Sequence, residues 1–310
     1  MNVFDVKVDK MTIVGNLKET HFIQRFIDLR MLEVSENSHD LVKGQIFPAH
    51  VYDESAYFTY DQRNAEAMRK RNFRIEFNPA KITDKQKEFI REKILCWCAP
   101  GSLSFSRLDL ALDCNVNIGS YAFESEYAKS GAVFYAKNGS IEGLYVGKRE
   151  SEIFIRAYDK KREQLREKRK ELASNERNKL TSSEYTKEVQ NGLEREIELL
   201  ENVDNWWRLE FEVKGSARLD LLIENGFSIL FDNLRIMDYD FSNVKGLEKA
   251  VLVGLLERPE IFEELSKNTK SKYKKMFREL GGVDLSKEFR EELRKKEPLI
   301  LADLRDWLKI

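Results

Sequence analysis

SFSRLDLALDC, residues 104–114, alternates two kinds of side chain. Leu108, Leu110 and Leu112 fall on one face of an extended chain, and Arg107, Asp109, Ala111 and Asp113 on the other. A period of two with one apolar face marks a strand that covers a core from one side. Three other stretches repeat the pattern. In FRIEFNP (73–79), Phe73, Ile75 and Phe77 oppose Arg74, Glu76 and Asn78. In the strand ending at Lys160, Ile153, Ile155 and Ala157 oppose Phe154, Arg156, Tyr158 and Lys160. In NWWRLEFEVKG (205–215), Leu209, Phe211 and Val213 oppose Arg208, Glu210, Glu212 and Lys214. Half-buried strands of this kind belong to antiparallel sheets.

Outward from these strands, residues 1–16 read as a short strand and turn, and 20–34 as a helix with apolar spacing near 3.6. Residues 44–60 alternate as β-structure, and a basic helical stretch surrounds AEAMRKR. Thr83 to Cys98 is an amphipathic helix with Thr83 as its cap. A second helix is expected at about 119–131. VFYAKNGSIEGLYVGKRESEIFIRAYDKK (133–161) reads as three strands joined by turns, the first of them Asn-Gly. Residues 160–179 carry nine Lys+Arg against four Glu, and 184–204 carry seven Asp+Glu against two Lys+Arg. Both are helix-compatible. They form either a hairpin of opposite charges or two separately solvated faces. The last 95 or so residues read as helical, with breaks at Gly226, near Pro259 and at Gly281–Gly282. The expected class is α+β: a large antiparallel sheet with flanking helices and a mostly helical C-terminal region. The expected domains are 1–215, with the hairpin 160–204 inserted, and 216–310.

The chain has 310 residues, 42% of them hydrophobic, enough for a sizeable core. No apolar run reaches the roughly 20 residues of a membrane span. The start, MNVFDVKVDK, lacks the apolar segment of a signal peptide, so a cytoplasmic location is expected. Cys96, Cys98 and Cys114 are too few for a disulfide framework and wrongly spaced for zinc. His21, His39 and His50 make no ligand pair. No Gly-rich loop ending in Lys-Ser/Thr is present, so the chain is no P-loop motor. The net charge of −1, from 53 bases and 54 acids, hides strong segregation along the chain.

The polar faces of the four strands hold acids and arginines where Thr, Ser and Lys are usual. If the strands share one sheet, carboxylates, guanidinium groups and a phenol converge. That set suits phosphoryl transfer. Hard carboxylate oxygens bind Mg²⁺ or Mn²⁺, Arg forks grip phosphate, and a Tyr phenol can serve as covalent nucleophile. The ordinary reading of the same face is a set of cross-strand ion pairs of modest worth, and a strand Tyr is usually a packing residue. A second feature is KNTKSKYKKMFR (267–278), with six Lys+Arg and no acid. Lys267, Lys270, Lys274 and Arg278 fall on one helical face, with Lys272 and Lys275 beside it. Such a face can neutralise DNA phosphates, or it can simply be a solvated helix.

MTIVGN (11–16), FRIEFNP (73–79), SRLDLALD (106–113), LYVGKRESEIFIRAYDKKRE (144–163) and WWRLEFEVK (206–214), in that order and spacing, resemble the plasmid rolling-circle replication initiators of the staphylococcal and bacillary Rep_trans family. The resemblance runs over roughly 11–310 and lacks the variable N-terminal extension of some relatives. It implies a homodimeric initiator that nicks and rejoins one strand at a plasmid double-strand origin. The nucleophile would be Tyr158 in Arg156-Ala157-Tyr158-Asp159-Lys160-Lys161, with Asp159 where staphylococcal relatives typically have Asn. Arg156 and Lys160 would steady the phosphate. Asp109 and Glu210 match the metal-holding acids best, with Glu76 also assigned and Asp113 and Glu212 in reserve. Origin specificity would lie near 267–275, a stretch that differs from the relatives. A host helicase and DNA polymerase would be partners. The alternatives are a non-catalytic, sequence-specific DNA-binding regulator and a divalent-metal nuclease that uses water.

Overall fold

In the computed structural model, the described residues are 3–18, 32–37, 41–46, 56–68, 70–128, 130–177, 184–257 and 259–308. In chain order the strands are β1 Val3–Gly15, β2 Leu32–Asn37, β3 Leu41–Ile46, β4 Ala56–Asp61, β5 Phe73–Phe77, β6 Ser104–Cys114 and β7 Ala122–Ser125. They continue with β8 Gly131–Tyr135, β9 Ile141–Val146, β10 Ile153–Asp159, β11 Trp207–Lys214, β12 Leu234–Tyr239 and β13 Gly282–Asp284. The helices are α1 Gln62–Met68, α2 Asp84–Phe89, α3 Lys160–Arg177, α4 Glu184–Glu201, α5 Ser216–Asn225, α6 Gly246–Glu257, α7 Pro259–Glu264, α8 Lys267–Glu279 and α9 Leu285–Trp307. The class is α+β.

Among the described residues, ten strands form one sheet in the order β2-β3-β4-β5-β1-β6-β11-β10-β9-β8, and every pairing is antiparallel. The four alternating strands of the sequence are β5, β6, β10 and β11. Leu108, Leu110, Leu112, Ile153, Ile155, Leu209, Phe211 and Val213 are buried on its apolar face. Each fully buried side chain of this size contributes about 2 kcal/mol. That face is covered by α2, α5, the 3₁₀ segment Phe227–Asn233 and α9, so that one buried apolar cluster runs from Met11 to Trp307. Trp307 at the end of α9 packs on Phe77 of β5 at 4.9 Å between ring centres. Arg91–Asp306 (2.6 Å) and Lys87–Asp303 tie α9 to the α2 region.

Thr83 caps α2, and its capping box with Gln86 is complete. The helix then widens through a π turn at Ile90–Ile94 and ends in a 3₁₀ turn at Leu95–Trp97. The charged segments meet as a hairpin. α3 and α4 are joined across their length by Lys168–Glu196 at 2.7 Å and Arg169–Glu201 at 2.6 Å.

Three sequence expectations differ from the fold. The helix expected at 119–131 is a single 3₁₀ turn, Ile118–Ser120, followed by β7 and the start of β8. β7 pairs with β12, more than a hundred residues away, and that partner overrides local helical spacing. β12 and β13 interrupt the C-terminal helices and complete a three-stranded second sheet, β13-β12-β7. Of the helix expected at 20–34, residues 20–31 lie outside the described residues, while Leu32–Val34 belong to β2.

Candidate active site on the charged sheet face

Sheet register brings the charged residues into rows. Across β6 and β11, Asp109 faces Glu212, Ala111 faces Glu210 and Asp113 faces Arg208. Across β11 and β10, Glu210 faces Arg156 and Arg208 faces Tyr158. On the other side of β6, Lys10 of β1 faces Asp109. Ala111, with no long side chain, leaves room above the middle of the face for the groups around it.

The side chains form one hydrogen-bonded network. The Arg107 fork donates to Asp109 at 2.7 and 2.6 Å, and its Nη2 also to Glu212 at 2.7 Å. Lys214 holds the other Glu212 oxygen at 2.6 Å. Arg156 donates to Glu210 Oε1 and stands 3.8 Å from Asp109 Oδ2. The Tyr158 hydroxyl donates to Glu210 Oε2 at 3.2 Å. Lys160 lies 5.7 Å from the centre of the Tyr158 ring and pairs with Glu163. The Arg208 fork donates to Asp113 at 2.7 and 2.8 Å, and Nη1 lies 3.0 Å from Asp9. Asp109, Asp113, Arg208, Glu210 and Glu212 are all buried, so water screens these pairs little.

Proton affinities divide the acids. Burial raises the pKa of Asp109 above its ordinary value and outweighs Arg107, with Glu212 pushing the same way. Burial likewise raises Glu210 against the pull of Arg156, and Asp109 adds to the rise. At Asp113 burial also acts upward, but the Arg208 fork and Lys7 overcome it and the pKa is lowered. Burial and the Glu210 carboxylate push the Tyr158 phenol well above its usual value, against Arg208 and Arg156. Arg156 Nε is buried and has no hydrogen-bond acceptor among the described residues. A buried unpaired donor is costly in a finished fold, and an incoming oxygen would satisfy it.

Tyr158, Arg156, Lys160, Asp109 and Glu210 are thus brought together. Glu76 is not with them. It lies on β5, two strands from Asp109, and is held by Lys10 (2.6 Å), Arg74 (2.5 Å) and the Thr12 hydroxyl (3.2 Å). Burial raises its pKa, but Lys10 and Arg74 win and the net shift is downward. Among the described residues no group of three or more His, Cys, Asp and Glu converges as a metal cage. The donor chemistry of a divalent ion is nevertheless present in Asp109 and Glu210, two buried carboxylates on either side of the Arg156 cation. His21, His39 and His50 lie outside the described residues.

Asp9 is a member of this network that strand-by-strand reading missed. β1 is read as short, yet it runs 13 residues along β6. A bulge between Val8 and Lys10 places Asp9 beside Arg208. The Asp5, Lys7, Asp9 alternation against Val6 and Val8 carried the signal.

The basic run forms α8, capped by Ser266. Its inner side packs Phe277 on Tyr239 of the second sheet at 5.4 Å. Lys267, Lys272, Lys274, Lys275 and Arg278 are exposed and Lys270 is half-buried. Lys272 pairs with Glu248 at 3.3 Å and Lys275 with Glu279 at 3.7 Å, leaving the helix basic on balance.

Residues 10–97, from β1 to the end of the turn after α2, match the family model described as RepD-like replication initiation protein, N-terminal. The matched region holds the β1–β5 half of the sheet, and the strand of Tyr158 lies beyond it. Two proteins from Staphylococcus aureus, both described as replication initiation proteins, align over nearly the whole chain. One is 27% identical over 98% of this chain and 85% of its own. The other is 29% identical over 96% of this chain and 83% of its own. A solved structure titled as a rolling circle replication initiator protein from Geobacillus stearothermophilus aligns over 79% of this chain and 90% of that one, at 12% identity and a TM-score of 0.41. No described helix is long and apolar enough to cross a membrane.

Proposed function

We propose that this protein is a replication initiator that works by rolling circle, nicking and rejoining one DNA strand at a plasmid double-strand origin, with Tyr158 as nucleophile. The observation that carries the proposal is the Tyr158 hydroxyl donating to a buried carboxylate, Glu210, beside Arg156 with its unpaired Nε. Tyr158 Oη attacks the phosphorus of the scissile phosphodiester and its proton passes to Glu210 Oε2. The bond from phosphorus to the 3′ oxygen breaks, and that oxygen takes a proton from water. The products are a 5′-phosphotyrosyl ester and a 3′-hydroxyl that a host polymerase extends. Arg156 Nε and Lys160 hold the phosphate oxygens, so charge that develops in the transition state meets donors already in place. The ester conserves the bond, and a 3′-hydroxyl can attack it to close the strand without ATP.

Asp109 and Glu210 would hold a Mg²⁺ or Mn²⁺ ion, which when bound neutralises charge on the phosphodiester oxygens. In the same proposal, residues 1–215 carry the chemistry. Residues 216–310 read the origin through α8, whose Lys267, Lys270, Lys272, Lys274, Lys275 and Arg278 neutralise duplex phosphates. The protein acts as a homodimer in the cytoplasm, with a host helicase to open the duplex.

The test is covalent capture on a single-stranded origin oligonucleotide labelled on the 3′ side of the nick. Wild-type protein should carry the label through denaturation, whereas Tyr158→Phe should bind the DNA and carry none. Adduct of undiminished yield from the Phe variant removes Tyr158 from the mechanism. Cleavage without any adduct points to a water-using nuclease, and no cleavage by wild type to a binding regulator.

A further inference from the structure

The charged sheet face continues beyond the active site into an open groove of about 1040 Å³ at its opposite corner, floored by β4, β5, β1 and β6. We propose that this groove holds an unpaired stretch of nucleic acid while the phenol acts elsewhere on the same strand. This deepens the nicking–joining reading and rests on it, because such an enzyme must control single-stranded DNA.

Three observations carry the inference. First, the floor presents an aromatic ring. β4 turns Ala56, Phe58 and Tyr60 into the core and Tyr57 outward, where it is 54% exposed, opposite Glu76 of β5. A flat ring on an open sheet surface is a stacking platform for any unpaired base, whereas bases inside a duplex cannot reach it. Second, the groove is lined by two exposed cations, Lys70 and Arg71, with a third, Arg74, beside them and paired with Glu76. Arg71 is aimed by the Ser104 hydroxyl at 2.5 Å and the Ser216 hydroxyl at 3.4 Å. Third, the two acids of the lining are already engaged. Glu76 is held by Lys10 and Arg74, and Asp61 accepts the Asn64 amide at 2.9 Å. The surface offered to a ligand is therefore a ring flanked by donors, the pairing that binds single strands without sequence preference.

Placement fits one continuous strand. From β5 to β10 is four inter-strand steps, and the row of Glu76 and Arg107 lies six residues along β6 from that of Asp113 and Tyr158. At about 4.8 Å per strand and 3.3 Å per residue, the groove is about 30 Å from the phenol on the same face. The side chains between are the arginine-rich rows already described.

The experiment is fluorescence anisotropy of a labelled oligothymidine with the full chain across a salt series. Tyr57→Ala with Lys70→Ala should weaken binding about tenfold or more and flatten the salt dependence by about 0.7 in slope for the lost phosphate contact. Tyr57→Phe, which keeps the ring, should bind as wild type. Unchanged affinity and slope in the double variant overturns the proposal, and so does loss of binding in Tyr57→Phe. A duplex of the same length that binds equally well and suffers the same loss overturns the single-strand assignment. Tyr158→Phe should keep wild-type oligothymidine affinity. If that variant still forms covalent adduct, the nucleophile assignment fails while the groove measurement stands.

Discussion

Arg208→Met is the perturbation on which the sheet face should depend most. Arg208 is buried, its fork donates to Asp113 at 2.7 and 2.8 Å, and its third nitrogen reaches Asp9 at 3.0 Å. The Asp113 side chain is 1% exposed, so solvent screening offers no discount. Removing the guanidinium leaves a buried carboxylate with Lys7 at 3.5 Å as its nearest cation. Breaking a buried pair from one side costs about 3–5 kcal/mol, because the abandoned charge keeps its desolvation penalty. Burial pushes the Asp113 pKa up while Arg208 and Lys7 pull it down, and the downward pull wins. Deleting Arg208 removes the largest of those pulls and leaves Lys7 facing the burial. With about 2.1 cal/mol/K of unfolding entropy per residue, a loss of about 4 kcal/mol lowers the Tm of a chain this long by roughly 6 °C. Urea unfolding followed by circular dichroism measures it, with the cycle closed by Asp113→Leu and the double variant. The double variant should recover most of the loss, since an apolar pair replaces an ionic one. A single variant within about 1 kcal/mol of wild type would refute the reasoning.

Asp113→Asn tests the sign of the linkage. The folded pKa of Asp113 lies below its unfolded value near 3.8, so its contribution is present above that value and lost as pH falls through the folded pKa. The gap in unfolding free energy between wild type and variant should be full at pH 7 and close in the acid range below about pH 4; a gap independent of pH would contradict the shift. Thr83→Ala removes the α2 capping box and should cost about 1 kcal/mol by urea unfolding, with no change in adduct yield. Replacing Lys267, Lys270, Lys274 and Arg278 with Ala should lower origin-duplex affinity and flatten its salt dependence by about 0.9 in slope per lost contact, read by filter binding. An unchanged slope would remove α8 from the duplex interface.

The strands that build the site were legible because each alternates an apolar face with a charged one, although β6 and β11 prove to be buried on both faces. From Arg107 to Asp113 of β6 only Ala111 breaks the charged face, and β11 alternates throughout, so long-range pairing aligned what each strand already displayed. Arg156 with Tyr158, and Asp109 with Glu210, were separable from core residues by parity alone. What could not be read depended on partners. β7 is four residues long, too short for a period to declare itself, and exists because β12 pairs with it. Asp9 continues the Asp5, Lys7 alternation of β1, but its place beside Arg208 depends on the length of the pairing between β1 and β6 and on the bulge between Val8 and Lys10. Glu76 was grouped with the metal acids because its strand carries the same pattern. Strand order then put β1 between it and β6, and Lys10 and Arg74 claimed its oxygens.

The arginines of the face are not equivalent, and their inequality favours one as the phosphate ligand. A phosphodiester brings a negative charge into a field where every acid is already paired, so it must take donors that are spare or loosely held. Arg208 is 3% exposed, forked on Asp113 and in contact with Asp9 through its third nitrogen, and releasing it would strand Asp113. Arg107 is forked on Asp109 and shared with Glu212. Arg156 differs from both in its unpaired donor: it meets Asp109 only at 3.8 Å, and its Nε has no acceptor among the described residues, while its side chain, 22% exposed, is far more open than that of Arg208. Its partner Glu210 is an acid whose ionised form burial disfavours and which already receives the Tyr158 hydroxyl. A proton moving from the phenol to Glu210 would neutralise that carboxylate and free Arg156 for the phosphate at the moment the phenolate forms. On this argument Arg208 holds the strands in register, and Arg156 is the cation that the reaction itself releases.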